Sequence, residues 1–197
     1  MNKFMLTALA PLLLTAMPVF AAQEFYNIDS SHTYPSFELN HMGFSIQRGT
    51  FDQTQGKLEV DFAAKKGAVD IIVNTASIDT GHDERDKHMR GDKFFNVEKF
   101  PTMTFSSHQF IFEGDKLVKV VGQLTLLGVT KPLVMTVNQF HCGKNPMTMQ
   151  PHCGADLSAA LKRSEYGMTA YVPIVGDNVT LHIQVEANKK VVTTGRP

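Results

Sequence analysis

The chain has 197 residues, with 19 Lys and Arg balanced by 19 Asp and Glu, 43% hydrophobic residues and no Trp. That length suffices for one domain with a sizeable core, and the plentiful, well-spread apolar residues exclude a disordered chain. A formal charge of zero, without long runs of one sign, excludes the basic surface of a nucleic-acid binder and a polybasic membrane patch.

Residues 1–21 read as a secretory signal peptide. Lys3 supplies a positive start, Phe4 to Leu14 form an apolar stretch broken by Pro11, and Val19 and Ala21 precede a cut before Ala22 at the positions that want small residues. A membrane anchor fits less well, because spanning takes about 20 continuous apolar residues and Pro11 and Pro18 interrupt this run. The expected product, from residue 22 onward, is free and soluble outside the inner membrane.

Beyond the cut, apolar residues recur at period two, the mark of strands with one buried face. Phe37 and Leu39 alternate with Glu38 and Asn40; Leu58, Val60 and Phe62 alternate with Glu59 and Asp61; Val69, Ile71 and Val73 follow. Thr80 to Lys99 breaks the rhythm. It is crowded with charge, and Asp83 with Lys87 and Asp86 with Arg90 stand at the i,i+4 spacing that supports a helical turn. Phe94, Phe95 and Phe100 would pin this segment down. Met103 and Phe105 come next, then Phe110 and Phe112, then Val118, Val120, Leu124 and Leu126 with Gly122 among them. Leu133, Met135 and Val137, then Ala155, Leu157, Ala159 and Leu161, then Val179, Leu181, Ile183 and Val185 complete the series. Glu113-Gly114-Asp115 and Gly176-Asp177-Asn178 read as turns, and residues 188–197 as a loose tail. About eight short alternating strands predict one all-β domain, a sandwich or a closed antiparallel barrel, with a short helical insertion.

No enzyme signature is present: no G-x-S-x-G, H-E-x-x-H, Walker loop or G-x-G-x-x-G. The eight His are scattered over different elements, and His82 and His88 are off the spacing that puts two ligands on one helical face. Arg85 and Arg90 could fork onto an anion or pair with neighbouring acids. Cys142 and Cys153 lie in a Gly-, Pro- and Asn-containing stretch that reads as a loop. In an oxidising compartment they would bridge; with His141 and His152 they would make a His2Cys2 metal site, softened by Met147 and Met149. Spacing suits either. The inward parities are almost wholly apolar, which fits a packed core or a space for one apolar ligand. Gly122, Ala155 and Ala159 on those parities would leave room.

Several stretches together resemble one family: I-D-S-S-H-T (Ile28 to Thr33), F-E-L-N-H-M-G-F-S (Phe37 to Ser45), R-G-T-F (Arg48 to Phe51), the long run from Thr80 to Pro101, and L-T-L-L-G-V-T-K-P-L (Leu124 to Leu133). From Phe25 to Ala187 the chain is similar to the YceI-like family of bacterial periplasmic proteins. The resemblance implies an extended, eight-stranded, lipocalin-like antiparallel barrel over residues 22–187, with a long apolar tunnel and no catalytic residues. It implies no cofactor but a bound polyisoprenoid, amphiphilic lipid or fatty amide, and a functional link to a membrane b-type cytochrome; whether the chain forms a homodimer is left open by the sequence. C-G-A-D (Cys153 to Asp156) and K-R-S-E-Y-G-M (Lys162 to Met168) resemble a subset with a Cys pair in this region, which favours the Cys142–Cys153 disulfide over metal. Parity then nominates as tunnel wall Phe37, Leu39, Val60, Phe62, Ile71, Val73, Met103, Phe105, Leu124, Leu126, Met135, Leu157, Leu181 and Ile183. Arg85 and His88 are placed at a polar rim. A one-residue register error would invert a whole strand.

Overall fold

The computed structural model describes residues 23–190; the expected signal peptide, residues 1–21, lies outside them, as do residues 191–197. Eleven strands form: β1 (Glu24–Ile28), β2 (Tyr34–His41), β3 (Ser45–Phe51), β4 (Thr54–Asp61), β5 (Lys66–Asn74), β6 (Ile78–Asp79), β7 (Thr102–Glu113), β8 (Lys116–Leu126), β9 (Val129–Lys144), β10 (Pro151–Lys162) and β11 (Val175–Lys189). One helix, α1 (Asp83–Arg90), interrupts them where the charge-crowded segment predicted it.

The eleven pieces make eight strands' worth of wall. Both β1 and β2 pair with the same edge of β11, Ile28 opposite Ala187 and Tyr34 opposite Gln184, so together they are one strand broken by the turn at 29–33. In the same way β3 pairs with β2 and β4 with β1, and β6 pairs with β3 while β5 pairs with β4. The remaining ladders run β5–β7–β8–β9–β10–β11, every one antiparallel. β1 on β11 closes the ring. The result is a closed up-and-down barrel, which leaves its central ladders without a free edge.

Three single-residue bulges re-aim the inward face, and they explain where the alternation changes phase. On β7, Ser106 faces Gln123 and Gln109 faces Val121, so one residue is extra; Ser107 turns inward, its hydroxyl donating to Val121 O at 2.7 Å. That shift carries the apolar parity from Phe105 to Phe110. On β8, Ile111 faces Lys119 while Phe112 faces Leu117, which leaves Val118 as the extra residue. The buried residue is therefore Leu117, not Val118 as simple parity assigned. On β9, Asn138 is extra between Val137 and Gln139, so the inward set passes from Val137 to Phe140. Gly176-Asp177-Asn178 is likewise an irregularity within β11 and not a turn between strands.

The seam between β1 and β11 is held by polar groups. Lys189 Nζ donates to Glu24 at 2.6 Å and Tyr26 Oη donates to the same carboxylate at 2.6 Å; these bonds hold the Glu24 carboxyl below its ordinary range. β11 thus runs two residues past Ala187, and Asn188 belongs to the wall, not to a loose tail. Its Nδ2 donates to Asp29 Oδ2 at 3.2 Å. Hydrogen bonds from Ser31 Oγ above all, then from His32, Ser31 N and Asn188, draw the Asp29 carboxyl down to about 2. A depressed carboxylate stabilises the fold above its unfolded pKa, and that contribution is lost as pH falls toward the folded value. Stability of the wild type should therefore decline between about pH 4 and about pH 2. Asp29→Asn should be less stable at neutral pH and show a flatter slope in that window, read by urea midpoints across pH.

Candidate functional site

The barrel interior is hollow. A cavity of about 390 Å³ runs between the strands, within the size range of small-molecule sites and with the apolar walls they favour. Phe37, Leu39, Ile71, Val73, Met103, Phe105, Leu124, Leu126, Met135, Leu157, Leu181 and Ile183 line it. Two parity nominees do not. Val60 lies on the inward face but is packed at 1% exposure beyond the end of the hollow. Phe62 follows the last residue of β4, where the alternation no longer applies, and is 40% exposed with its ring stacked on Phe140.

Why the interior is open follows from where the aromatic rings go. Phe105 lies flat over Gly122, so that a Cβ there would come within 2.4 Å of the ring. Phe110 covers Gly67 and Phe37 covers Gly49 in the same way. Each glycine lets a ring lie against the wall instead of projecting across the lumen. The room expected at Gly122 is thus taken by Phe105, and it is the ring's withdrawal that leaves the hollow. Ala155 lines the cavity directly, and Ala159 packs behind it.

One end is sealed. Tyr26, Cys153 and Ala187 are 2–3% exposed and form a second apolar cluster with Ile28, Leu58, Phe140 and Cys142. Cys142 and Cys153 face each other across β9 and β10 and are joined by a disulfide. They sit on strands, not in the loop the sequence reading gave them, because β9 and β10 extend to Lys144 and from Pro151. The His2Cys2 reading is corrected by the same geometry. Successive strand residues point to opposite faces, so His141 and His152 point away from the bridged sulfurs, and His152 is engaged by Asn188 at 2.9 Å and Glu186 at 2.7 Å. In the chain-entropy picture a loop this short contributes somewhat under ~3 kcal/mol. Cys142→Ala/Cys153→Ala should lose about that much stability in chemical denaturation, and unlike the wild type should be indifferent to dithiothreitol.

The opposite end is open, and α1 crosses it. His82 caps the helix from its side chain, and acids fill its first turn while Lys87, His88 and Arg90 fill its last, matching the helix dipole. The expected i,i+4 pairing is not what fixes it. Asp86, 5% exposed, accepts from Thr80 N and Thr80 Oγ1, and Arg90 donates to Ala76 O at 2.8 Å and Ile78 O at 3.0 Å. Arg85 reaches the cavity, but its guanidinium is spent on Thr80 Oγ1 (2.8 Å), Thr80 O (2.6 Å) and Gln47 Oε1 (2.8 Å). Neither Arg is a free anion fork. His88 stands exposed at the opening, edge-on to Phe94 at 5.0 Å, and Phe94 stacks on Tyr171 at 6.2 Å. Arg85 and His88 both border the cavity at the α1 end, with Phe94 and Tyr171 as aromatic neighbours that parity could not find, since both belong to irregular segments.

A family model described as the YceI-like domain matches residues 26–187. The chain belongs to the YceI-like family. Protein YceI of Salmonella arizonae is 35% identical over 179 residues, covering 90% of this chain and 93% of the relative, and Protein YceI of Salmonella paratyphi B matches equally. Among solved structures, the Campylobacter jejuni YCEI protein has a TM-score of 0.67 at 28% identity, covering 78% of this chain and 91% of that one. A polyisoprenoid binding domain from Saccharophagus degradans has a TM-score of 0.63 at 16% identity, covering 84% and 98%. At that identity the last shares the fold. Within the YceI-like barrel the feature no parity argument reaches is Arg163. It is 3% exposed and donates to the carbonyls of Gly176, Met168, Ala170 and Val175 at 2.8–3.0 Å. It thereby shapes the loop that carries Tyr171 to the opening. The signal in the sequence is an Arg within the charged K-R-S-E run (Lys162 to Glu165) at the end of an apolar strand, followed by the uncharged Gly167 to Gly176.

Proposed function

We propose that the protein holds one long apolar lipid of isoprenoid type in its lumen and carries or stores it in the periplasm without transforming it. The observation that carries this reading is the lumen itself: packed shut at the disulfide end by Tyr26, Cys153 and Ala187, bordered by the exposed His88 and Tyr171 at the α1 end, and lined almost throughout by hydrocarbon. A ligand there would be held by area removed from water, at roughly 25 cal/mol per Å², with orientation left to the few polar groups of the mouth. Membership of the YceI-like family and the polyisoprenoid binding of the Saccharophagus domain support the lipid class. A ligand-free packed core is disfavoured by the hollow, and neither the cytochrome link implied by the resemblance nor a homodimer forms part of the proposal. Delipidated protein should take up a polyprenyl alcohol saturably, one molecule per barrel, as followed by equilibrium partition from a detergent-free dispersion. Uptake that fails to saturate, or that a heat-denatured sample matches, would contradict it.

A further inference from the structure

The mouth of the barrel carries apolar side chains that face water. Phe44 is 88% exposed, Ile174 67%, Tyr171 52%, Met42 46% and Ile46 44%. They come from two loops brought together by one ladder contact, His41 opposite Val175, which places Met42 and Ile174 next to each other just beyond that pair. Both His41 and Val175 line the cavity, as does Tyr171, so the apolar tips border the opening.

Two further observations say what meets these tips. The loops are held in place: Met42 and Gly43 adopt positive φ in a turn closed by Phe44 N to His41 O (3.0 Å) and Gly43 N to Asn40 Oδ1 (2.8 Å). The second loop is gripped by Arg163 and by Val175 N to Tyr171 O (2.8 Å). The exposure is therefore built into the backbone. And neither loop carries a formal charge: residues 39–47 and 167–176 contain no Asp, Glu, Lys or Arg, in a chain that has 38 of them (19 and 19). A surface made for a protein partner keeps a polar, charged rim. The Phe, Ile, Met and Tyr side chains of these two uncharged loops can enter the headgroup layer without the loops desolvating an ion, with Tyr at the boundary, while Arg85 and the charged α1 border the same mouth.

We propose that this rim seats the barrel mouth-down on a lipid bilayer, so that cargo passes between membrane and lumen without crossing water. The inference rests on the lipid-holding reading above. The seat is driven by apolar burial, so binding needs no anionic lipid and survives raised salt. The test is flotation with vesicles of pure phosphatidylcholine, at low and high salt, using wild type and Phe44→Ser/Ile174→Ser. Neither substituted residue lines the cavity, so uptake of a water-soluble apolar fluorophore in vesicle-free buffer reports lumen and fold separately. Wild type should float equally at both salts, and the double variant should bind vesicles about tenfold or more weakly while taking up the fluorophore as wild type does. Wild type that takes up fluorophore but does not float would overturn the bilayer seat and leave the lumen reading standing. Flotation equal in the variant, or abolished by salt, would assign membrane contact to another surface. A wild-type dimer that the substitutions split would assign the rim to a second copy. No fluorophore uptake by folded wild type would remove the reading beneath the proposal.

Discussion

Arg163→Leu should lower the melting temperature by about 10 °C. The guanidinium is buried and gives its protons to four main-chain carbonyls, those of Met168, Ala170, Val175 and Gly176. Leu fills part of the volume but donates nothing, and each buried acceptor left unpaired costs about 1–3 kcal/mol. Even if water recovers half of them, the loss is about 3–5 kcal/mol, and about 2–4 °C per kcal/mol is usual for a chain of this size. Burial opposes the charged form of Arg163, while Asp177 nearby favours it; Asp177 in turn accepts from Ser164 N (2.9 Å) and Ser164 Oγ (2.8 Å). Arg163→Lys should recover only a small part, because one ammonium cannot address the fork of carbonyls that a planar guanidinium does. Calorimetry decides: a drop of a degree or two in Arg163→Leu would mean that the loop stands without its guanidinium.

A second large effect is expected on binding, with little on the fold. Leu181 projects into the lumen from β11, with Phe37 beside it on β2 and the small Ala159 beside it on β10. Leu181→Trp would extend from the wall into the cavity that Leu181 lines. The added rings would occupy part of the cavity of about 390 Å³. For each ~100 Å² of ligand hydrocarbon kept out, binding weakens by about 2.5 kcal/mol, or about 60-fold in Kd. Stability should change by less than about 1.5 kcal/mol, because the hollow offers room that a close-packed core would not. Comparing polyprenyl uptake with the melting temperature separates the two. Unaltered uptake by a folded Leu181→Trp would place the ligand elsewhere.

How much of this was legible from residues depended on whether a segment kept its phase. Leu181, Ile183, Leu124 and Leu126 lie in uninterrupted runs, and period two placed them on the wall. Val118 and Phe62 were misplaced for local reasons that alternation cannot encode: one is the extra residue of a bulge, the other lies past a strand's last pairing. The helix over Asp83–Arg90 was visible in its charges, yet what fixes it is Asp86 on Thr80 and Arg90 on Ala76 and Ile78, contacts made by folding back onto the strands before it. Phe94, Tyr171 and Arg163 stayed hidden because they act from irregular backbone, whose path depends on hydrogen bonds distant in sequence. The glycines under the Phe rings were readable as glycines, but not as the reason the lumen is open.

On the proposed function, the hollow of this barrel is a seat for one apolar chain. The first test is native mass spectrometry of the protein isolated from its own host, followed by organic extraction. The expected result is a disulfide-bonded chain carrying a single non-covalent adduct, whose extracted mass is that of a long isoprenoid lipid. Chains that fly empty and stay empty after incubation with such lipids would contradict it.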